Sequence, residues 1–552
     1  MDCILYARRR LRIGSDRNAL HWGSCSGEAM RRLRGSESTL LALARHTLCV
    51  LALMWTGLAN GQPFLFQSDT TNYIRAADAA VYIVSGHRIS TAWTDRYRDE
   101  LPAAAAPRQP DHSRDQTAPL ARVNDLRGGL VMGGRSPYIG ALMYLGYVIG
   151  DFWPFVLFQS IVAYILINLT ARRFGIRNRV QVTALVLVLA AATSLPTYNS
   201  LLMADAFASF GIIAFLLLAT PGELSRIEAI FLGMVLAISV VSHLTHEMML
   251  IGMIIALGIL ALLRWPPRPP ARAWVAGIGG VLLGAASVTA TSWATQIAFG
   301  HPPQMLPLLS ARFIADGPGK AYIDSGCDGR RFAICRTPIG NPRSAVAILF
   351  GTTPDAGAYM LANVRDRRSM GEEDVRFALA VLKYDFAGEA VMMARNTVRQ
   401  LSYIDYDGLN QNCFDQPGCW TSLPAPVRAT LQATPSGRGA WPQPLMNAVL
   451  YVAVCASLLC LALVAPFLRR HDPARWQMLR TWLLVGFAAM LVCSFFGGAV
   501  SDPQYRYQGR LIWLVPLMAG ISLLARRQLA GATELGGAQN VAVAGAPAGL
   551  NR

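Results

Sequence analysis

Asp69, Tyr73 and Ala77 recur at i, i+4 and i+8 in the stretch from Phe66 to Asp78, which directly follows the first long apolar run of the chain. On a helix that spacing lines up one face, and a carboxylate placed where a chain leaves the bilayer can act on a lipid-linked substrate. Asp69 is therefore the first candidate for a catalytic residue, a base that takes the proton of an acceptor hydroxyl. The structural alternative is an aspartate that caps a helix at the membrane surface. Asp78 adds a second carboxylate to the same helix, one of the pair serving structure.

Four further groups carry usable chemistry. Arg135, set among Gly133, Gly134, Ser136 and Pro137, can fork onto a phosphate, pair with a carboxylate or snorkel to the headgroups, and Tyr138 stands beside it as a substrate-binding candidate. Asp205 follows the turn of residues 194–200, where it can cap a helix facing the site and meet its positive end. His243, His246 and Glu247 join two apolar runs. Their order matches no zinc-protease pattern and reads as a proton-handling, substrate-contacting or interfacial group. Arg506, Tyr507 and Arg510 precede the last apolar run; arginine suits a lipid-linked phosphate and tyrosine a sugar ring or the interface, the alternative being an aromatic and basic belt.

The remaining candidates are structural or ionic. Cys327, Cys335, Cys413 and Cys419 fall in one long polar stretch, which suggests two disulfides, most simply Cys327 with Cys335 and Cys413 with Cys419, among three connectivities. Asp405 and Asp407 form a D-x-D that can hold a hard cation or simply make a turn, so a divalent cation is a candidate cofactor with no ligand set assigned.

Positioning these groups requires a membrane. The 552 residues are 53% hydrophobic and 15% charged with mean hydropathy +0.34, the composition of an all-α polytopic membrane protein. The net charge of +17 is mostly arginine at the edges of apolar runs, an orientation signal rather than a nucleic-acid surface. About ten spans are expected, near 39–59, 153–171, 180–195, 204–219, 228–243, 248–263, 274–297, 445–467, 477–498 and 510–525. The run 138–150, about 13 residues, falls short of the ~20 needed to cross and reads as an interfacial or re-entrant helix opened by Pro137.

With that helix on the outer face, Arg172 to Arg179, Arg226, Arg264 to Arg272, Arg469 to Arg480, Arg526 and Arg527 all fall inside. Only Arg506 and Arg510 break the bias, and such a violation invites a functional explanation. The organisation expected is a basic cytoplasmic leader at 1–37, with Met30 as a rival start, and a membrane domain at 38–298 that includes an outer loop at 61–152. An extracytoplasmic domain at 299–442, a second membrane part at 443–527 and a cytoplasmic tail at 528–552 complete it. Both termini then lie in the cytoplasm of a bacterial inner membrane and 299–442 in the periplasm.

Asp69-Thr70 with Tyr73 and Ala77, then Gly134 to Tyr138 opening a surface helix, then Pro196 with Asp205, and finally Arg506-Tyr507 before the last span resemble the GT-C membrane glycosyltransferases. Protein O-mannosyltransferases and the aminoarabinose transferases of lipid A belong to that class. The resemblance implies transfer of a sugar from a polyprenyl-phosphate donor to an envelope or lipid acceptor on the outer face. Asp69 would act on the acceptor or a metal, and Arg135, Arg506 or Arg510 would hold the donor phosphate. The chain departs from the family in showing Ser68-Asp69 where an acidic pair is usual, and in placing its outer domain between the seventh and eighth spans. Two other functions use the same residues: a transporter or flippase of lipid-linked glycans, and a non-catalytic assembly protein of an envelope polysaccharide system.

Overall fold

A computed structural model describes residues 39–101, 131–353, 355, 357–406, 420 and 422–544. Among them the chain is helical, apart from two isolated parallel bridges, Phe64 with Leu201 and Met132 with Gln304. Thr39–Leu48 belong to one compact unit and the described residues from Cys49 onward to another. The first apolar run makes α1 (Thr39–Ala52) and, after a turn at Leu53 and Met54, α2 (Trp55–Asn60).

Next come α3 (Gln67–Val84), α4 (Ala92–Tyr97), α5 (Pro137–Gly150), α6 (Trp153–Arg173), α7 (Arg179–Ala192) and α8 (Leu195–Asn199). The bundle continues with α9 (Ala206–Ala219), α10 (Arg226–Ser242), α11 (Leu244–Leu262) and α12 (Ala271–Phe299). A smaller body follows, with α13 (Leu308–Asp316), α14 (Pro318–Asp324), α15 (Ala345–Phe350), α16 (Val364–Tyr384) and α17 (Phe386–Ser402), and then α18 (Ala425–Gln432), whose Val427 and Leu431 pack on the core of the bundle. The chain then re-enters the bundle as α19 (Gln443–His471), α20 (Pro473–Phe495), the short α21 (Arg506–Gly509) and α22 (Leu514–Ala544).

Six stretches are long and apolar enough to cross a membrane: α6, α11, α12, α19, α20 with the π-helical turn 496–500, and Arg506–Ala530. The protein is a multi-pass helical membrane protein. The expected spans at 39–59, 180–195, 204–219 and 228–243 form shorter helices, α1 with α2, α7, α9 and α10. Among these, α9 is apolar on every side and buried from Ala206 to Leu218, as a helix surrounded by others must be. The run at 138–150 is the 14-residue α5, opened by Pro137 at its first position.

The charged loops gather at two ends of the bundle. At one end Arg272 donates to the carbonyls of Leu218, Thr220 and Gly222 at the negative terminus of α9, and Trp482 Nε1 donates to Thr220 Oγ1 over 2.9 Å. Arg480 stacks on Trp265 at 3.7 Å at this same arginine-rich end. At the other end are the starts of α3, α5, α9, α11 and α19 and the turn 496–505, together with the smaller body.

That body has its own core, including Phe313, Phe332, Ile348, Tyr359, Phe377 and Val381. Cys327 and Cys335 form its disulfide, Cα–Cα 5.9 Å, as their positions in the polar stretch suggest. Cys413, Cys419 and Asp407 lie outside the described residues. The body docks onto the turn that leads to Arg506. Arg312 binds Asp502 at 2.6 Å, and Gln400 on α17 exchanges two hydrogen bonds with the backbone of Gln504, at 2.8 and 2.7 Å.

Candidate functional site

Two backbone bridges and one close helix contact assemble the site. Phe64 N donates to Ser200 O and Leu202 N to Phe64 O, at 2.8 and 2.9 Å, which lays the start of α3 beside the segment that leads to Asp205. Thr70 Oγ1 accepts from Phe66 N and donates to Leu202 O, 2.9 Å each, and holds the first turn of α3 there. On the other flank Gly133 pairs with Gln304, and Gly134 turns the chain at φ +98°, a left-handed conformation that glycine adopts without strain. Gly140 then lets α5 press on α3: a Cβ there would sit 2.5 Å from the Tyr73 carbonyl oxygen. These contacts deliver Arg135 to Asp69.

Asp69 sits in the first turn of α3 but does not cap it, since Phe66 is the N-cap and has no side-chain cap bond. One carboxylate oxygen, Oδ1, accepts from Arg135 Nη2, and the other, Oδ2, lies 3.2 Å from Arg506 Nη1. Burial alone pushes the Asp69 carboxyl up; the two guanidiniums outweigh it and hold it below the ordinary carboxylate range. Tyr73, one turn on and fully buried, is pushed up to about 12, first by burial, and stays a neutral phenol.

Arg506 and Arg510 lie on the segment 506–513, which threads between α9 and α20. The guanidinium of Arg506 is stacked between the Phe66 ring (4.3 Å) and the Tyr507 ring (5.2 Å), and Arg510 covers Tyr507 at 5.3 Å. Arg510 Nη1 donates to Asp205 Oδ1 at 3.0 Å, with side chains 2% and 3% exposed. Asp205 therefore pairs within this cluster, and it makes no side-chain cap on α9. Cys493, which reads in sequence as a small apolar residue, places its Sγ 3.5 Å from Arg510 Nη2.

The histidines adjoin the same cluster, and His243 interacts electrostatically with Arg135, Arg506 and Arg510. The two imidazoles lie 5.5 Å apart. His246 Nδ1 stands 3.0 Å from Ser239 O; a carbonyl can only accept, so Nδ1 carries the proton. Its Nε2 is buried with no hydrogen-bond partner among the described residues.

Other candidates stand apart. Asp78 accepts from the hydroxyls of Thr91 and Thr94, 2.7 Å each, and so ties α3 to the capping box that opens α4. Tyr138 donates to Ser287 O on α12 at 3.1 Å, and the Glu247 carboxylate packs on Gly284 of the same helix. Asp405 accepts from the Tyr451 hydroxyl at 2.7 Å. Among the described residues no three His, Cys, Asp or Glu side chains stand together as metal ligands.

The assembled cluster sets three guanidiniums, Arg135, Arg506 and Arg510, against two carboxylates, Asp69 and Asp205. The Nε–H of each guanidinium is buried with no hydrogen-bond partner among the described residues. Arginine cannot shed its charge, so an excess cation and three idle donors make the cluster receptive to an anion. Arg135, 31% exposed, is its open lip, and the Asp205–Arg510 pair its closed floor. Tyr73 joins the cluster as its spacing from Asp69 suggests, and Tyr198 and Cys493 join it with little sequence signal of their own; a turn residue and a span cysteine look like packing.

No protein-family model matches this chain, and no curated protein or solved structure matches it either.

Proposed function

We propose that the protein is a membrane glycosyltransferase of the GT-C type, with ten crossings. It moves a sugar from a polyprenyl-phosphate donor to an acceptor hydroxyl of the envelope or of a lipid. The observation that carries this reading is the surplus buried guanidinium, with its unpartnered Nε donors, beside a carboxylate at one end of the bundle. In the proposed orientation the arginine-rich end is cytoplasmic, and the Asp69 end with residues 299–442 faces the periplasm of a bacterial inner membrane.

In the resting site Asp69 is occupied by Arg135 and Arg506. Its low proton affinity makes it a weak base in that state. A donor phosphate that draws the two guanidiniums onto its own oxygens frees the carboxylate to accept the acceptor proton. The acceptor oxygen then forms its bond to the anomeric carbon as the bond to the lipid phosphate breaks. The departing phosphate takes the electron pair, and Arg506 stabilises its charge. The route needs no metal, although a divalent cation stays a candidate.

Lipid-linked glycan transport and non-catalytic envelope assembly are the competing readings. Against transport stands the placement of charge: α6, α11, α12, α19 and α20 carry no Asp, Glu, Lys or Arg in their central turns. The test is binding and turnover in nanodiscs. Polyprenyl phosphate should bind at least tenfold more tightly than the corresponding polyprenol, and Arg506→Gln should erase the difference. Equal affinity for phosphate and alcohol removes the basis for a phosphate-linked donor. Asp69→Asn should insert and bind normally yet transfer no sugar across a panel of polyprenyl-phosphate sugars; near-normal transfer would sink its assignment as base.

A further inference from the structure

Helix α17 is built inside out for a water-soluble surface. Its buried stripe is polar: Glu389, Asn396 and Gln400 are all nearly inaccessible. Its exposed stripe is apolar and basic, with Phe386, Val391 and Val398 exposed to 70%, 66% and 66% and Arg395 and Arg399 beside them. The preceding α16 continues the pattern with exposed Val375, Leu379 and Tyr384 next to Arg376 and Lys383. Over both helices the exposed cations number five, Arg365 near the start of α16 included, against one exposed acid, Glu372.

Two of the three inward polar groups anchor the helix, while neither carboxylate oxygen of Glu389 has a hydrogen-bond partner among the described residues. Asn396 Nδ2 donates to both carboxylate oxygens of Asp316, at 2.8 and 3.0 Å, and Gln400 clamps the Gln504 backbone. Gly498 in the π-helical turn faces the Asn396 carbonyl, and a Cβ there would meet it at 2.4 Å. α17 thus lies across the point where the membrane-crossing α20 ends. Phe487, Leu491 and Phe495 form an exposed apolar stripe on α20 that runs up to that point.

We propose that the outward face of α17, continued by α16, lies in the headgroup and upper acyl region of the membrane that this chain crosses, at the Asp69 end, with a preference for anionic lipid. Phe386, Val391 and Val398 enter the apolar edge, and Arg395 and Arg399 extend their stems along it and place their charges among phosphates. Three observations choose lipid over a protein partner: the inverted helix pattern, the excess of cations, and continuity with the apolar belt of α20. The placement is independent of whether the chain transfers a sugar.

The full chain, carrying a photo-crosslinking phenylalanine analogue at position 391, 398 or, as a water-exposed control, 330, is reconstituted in nanodiscs of zwitterionic lipid with or without phosphatidylglycerol. Irradiation should give lipid adducts by mass spectrometry at 391 and 398 and none at 330. Their yield should rise severalfold with phosphatidylglycerol, and Arg395→Glu together with Arg399→Glu should cancel that rise. Yields at 391 and 398 no greater than at 330 overturn the placement, and so do adducts of twice the chain mass, which would mean a second copy covers the face. A yield indifferent to lipid charge and to the double reversal overturns the anionic preference.

Discussion

Two buried ionic clusters balance their charge in opposite ways. In the bundle Arg135, Arg506 and Arg510 face Asp69 and Asp205. In the smaller body a single guanidinium, Arg312, faces Asp316 and Asp502, with Glu389 close by. The second cluster can neutralise itself, because a carboxylic acid can keep its proton. Burial, then Asp316, pushes Glu389 up to about 8. The first has no such outlet, because guanidinium stays charged at any physiological pH. Its imbalance has to be met from outside, and this contrast separates a structural ion network from one that awaits an anion.

The largest effect should come from breaking the floor of the bundle cluster. Arg510→Leu leaves Asp205 buried and unpaired, with an expected loss of about 3–5 kcal/mol, whereas Asp205→Leu combined with Arg510→Met should recover most of it. Thermal unfolding in detergent reads both, and a double variant as unstable as the single one would break the comparison. Gly140→Ala comes next, at about 1–3 kcal/mol, because the new methyl strikes the Tyr73 carbonyl. It should also weaken polyprenyl phosphate binding by moving Arg135 away from Asp69; unchanged affinity would free the site from that helix contact.

Glu389→Gln sharpens the other half of the comparison. The folded-state value of about 8 lies above the ordinary 4.5, so the acid's contribution is fully present below about 4.5 and is lost as pH rises toward and through 8. Wild type should therefore lose stability over that window, and the glutamine variant should lose less. A gain of about 1–3 kcal/mol at pH 8.5 with none at pH 4.5 is expected. Parallel curves would mean Glu389 is already ionised. Asp69, held below its ordinary value, should show the reverse, with its ion pairs intact above about pH 4 and lost only as pH falls below that. Smallest is Thr94→Ala, about 1 kcal/mol, because it removes one of two hydroxyls on Asp78 and leaves the bundle cluster untouched.

Much of this was legible beforehand, for identifiable reasons. Long apolar runs announce crossings because a bilayer tolerates no unsatisfied backbone. Arg506 and Arg510 stood out because they sit at the end where arginine is otherwise scarce. Asp69 was visible as a carboxylate at a bilayer edge, but whether it capped a helix or met a guanidinium depended on residues 66 and 437 positions away. Asp78 and Asp205 could not be told apart by spacing: one is tied to two threonines of the next turn, the other to an arginine near the far end of the chain. Glu389 gave no signal at all, since an acid on an amphipathic helix normally faces water.

The amino-acid order by itself determined that this is a helical membrane protein, which ends of its helices are arginine-rich, and which charged residues stand where charge is expensive. Those features follow from transfer of side chains between water and lipid, a property of each residue and its near neighbours. Only the tertiary structure decided that Asp69 joins Arg135 to Arg506, that three guanidiniums outnumber two carboxylates in one place, and that α17 turns its polar side inward. Each depends on close approaches that a chain reveals only when packed, such as Gly140 on Tyr73 and Gly498 on Asn396, because ionic contacts act over a few ångströms while their partners are hundreds of residues apart.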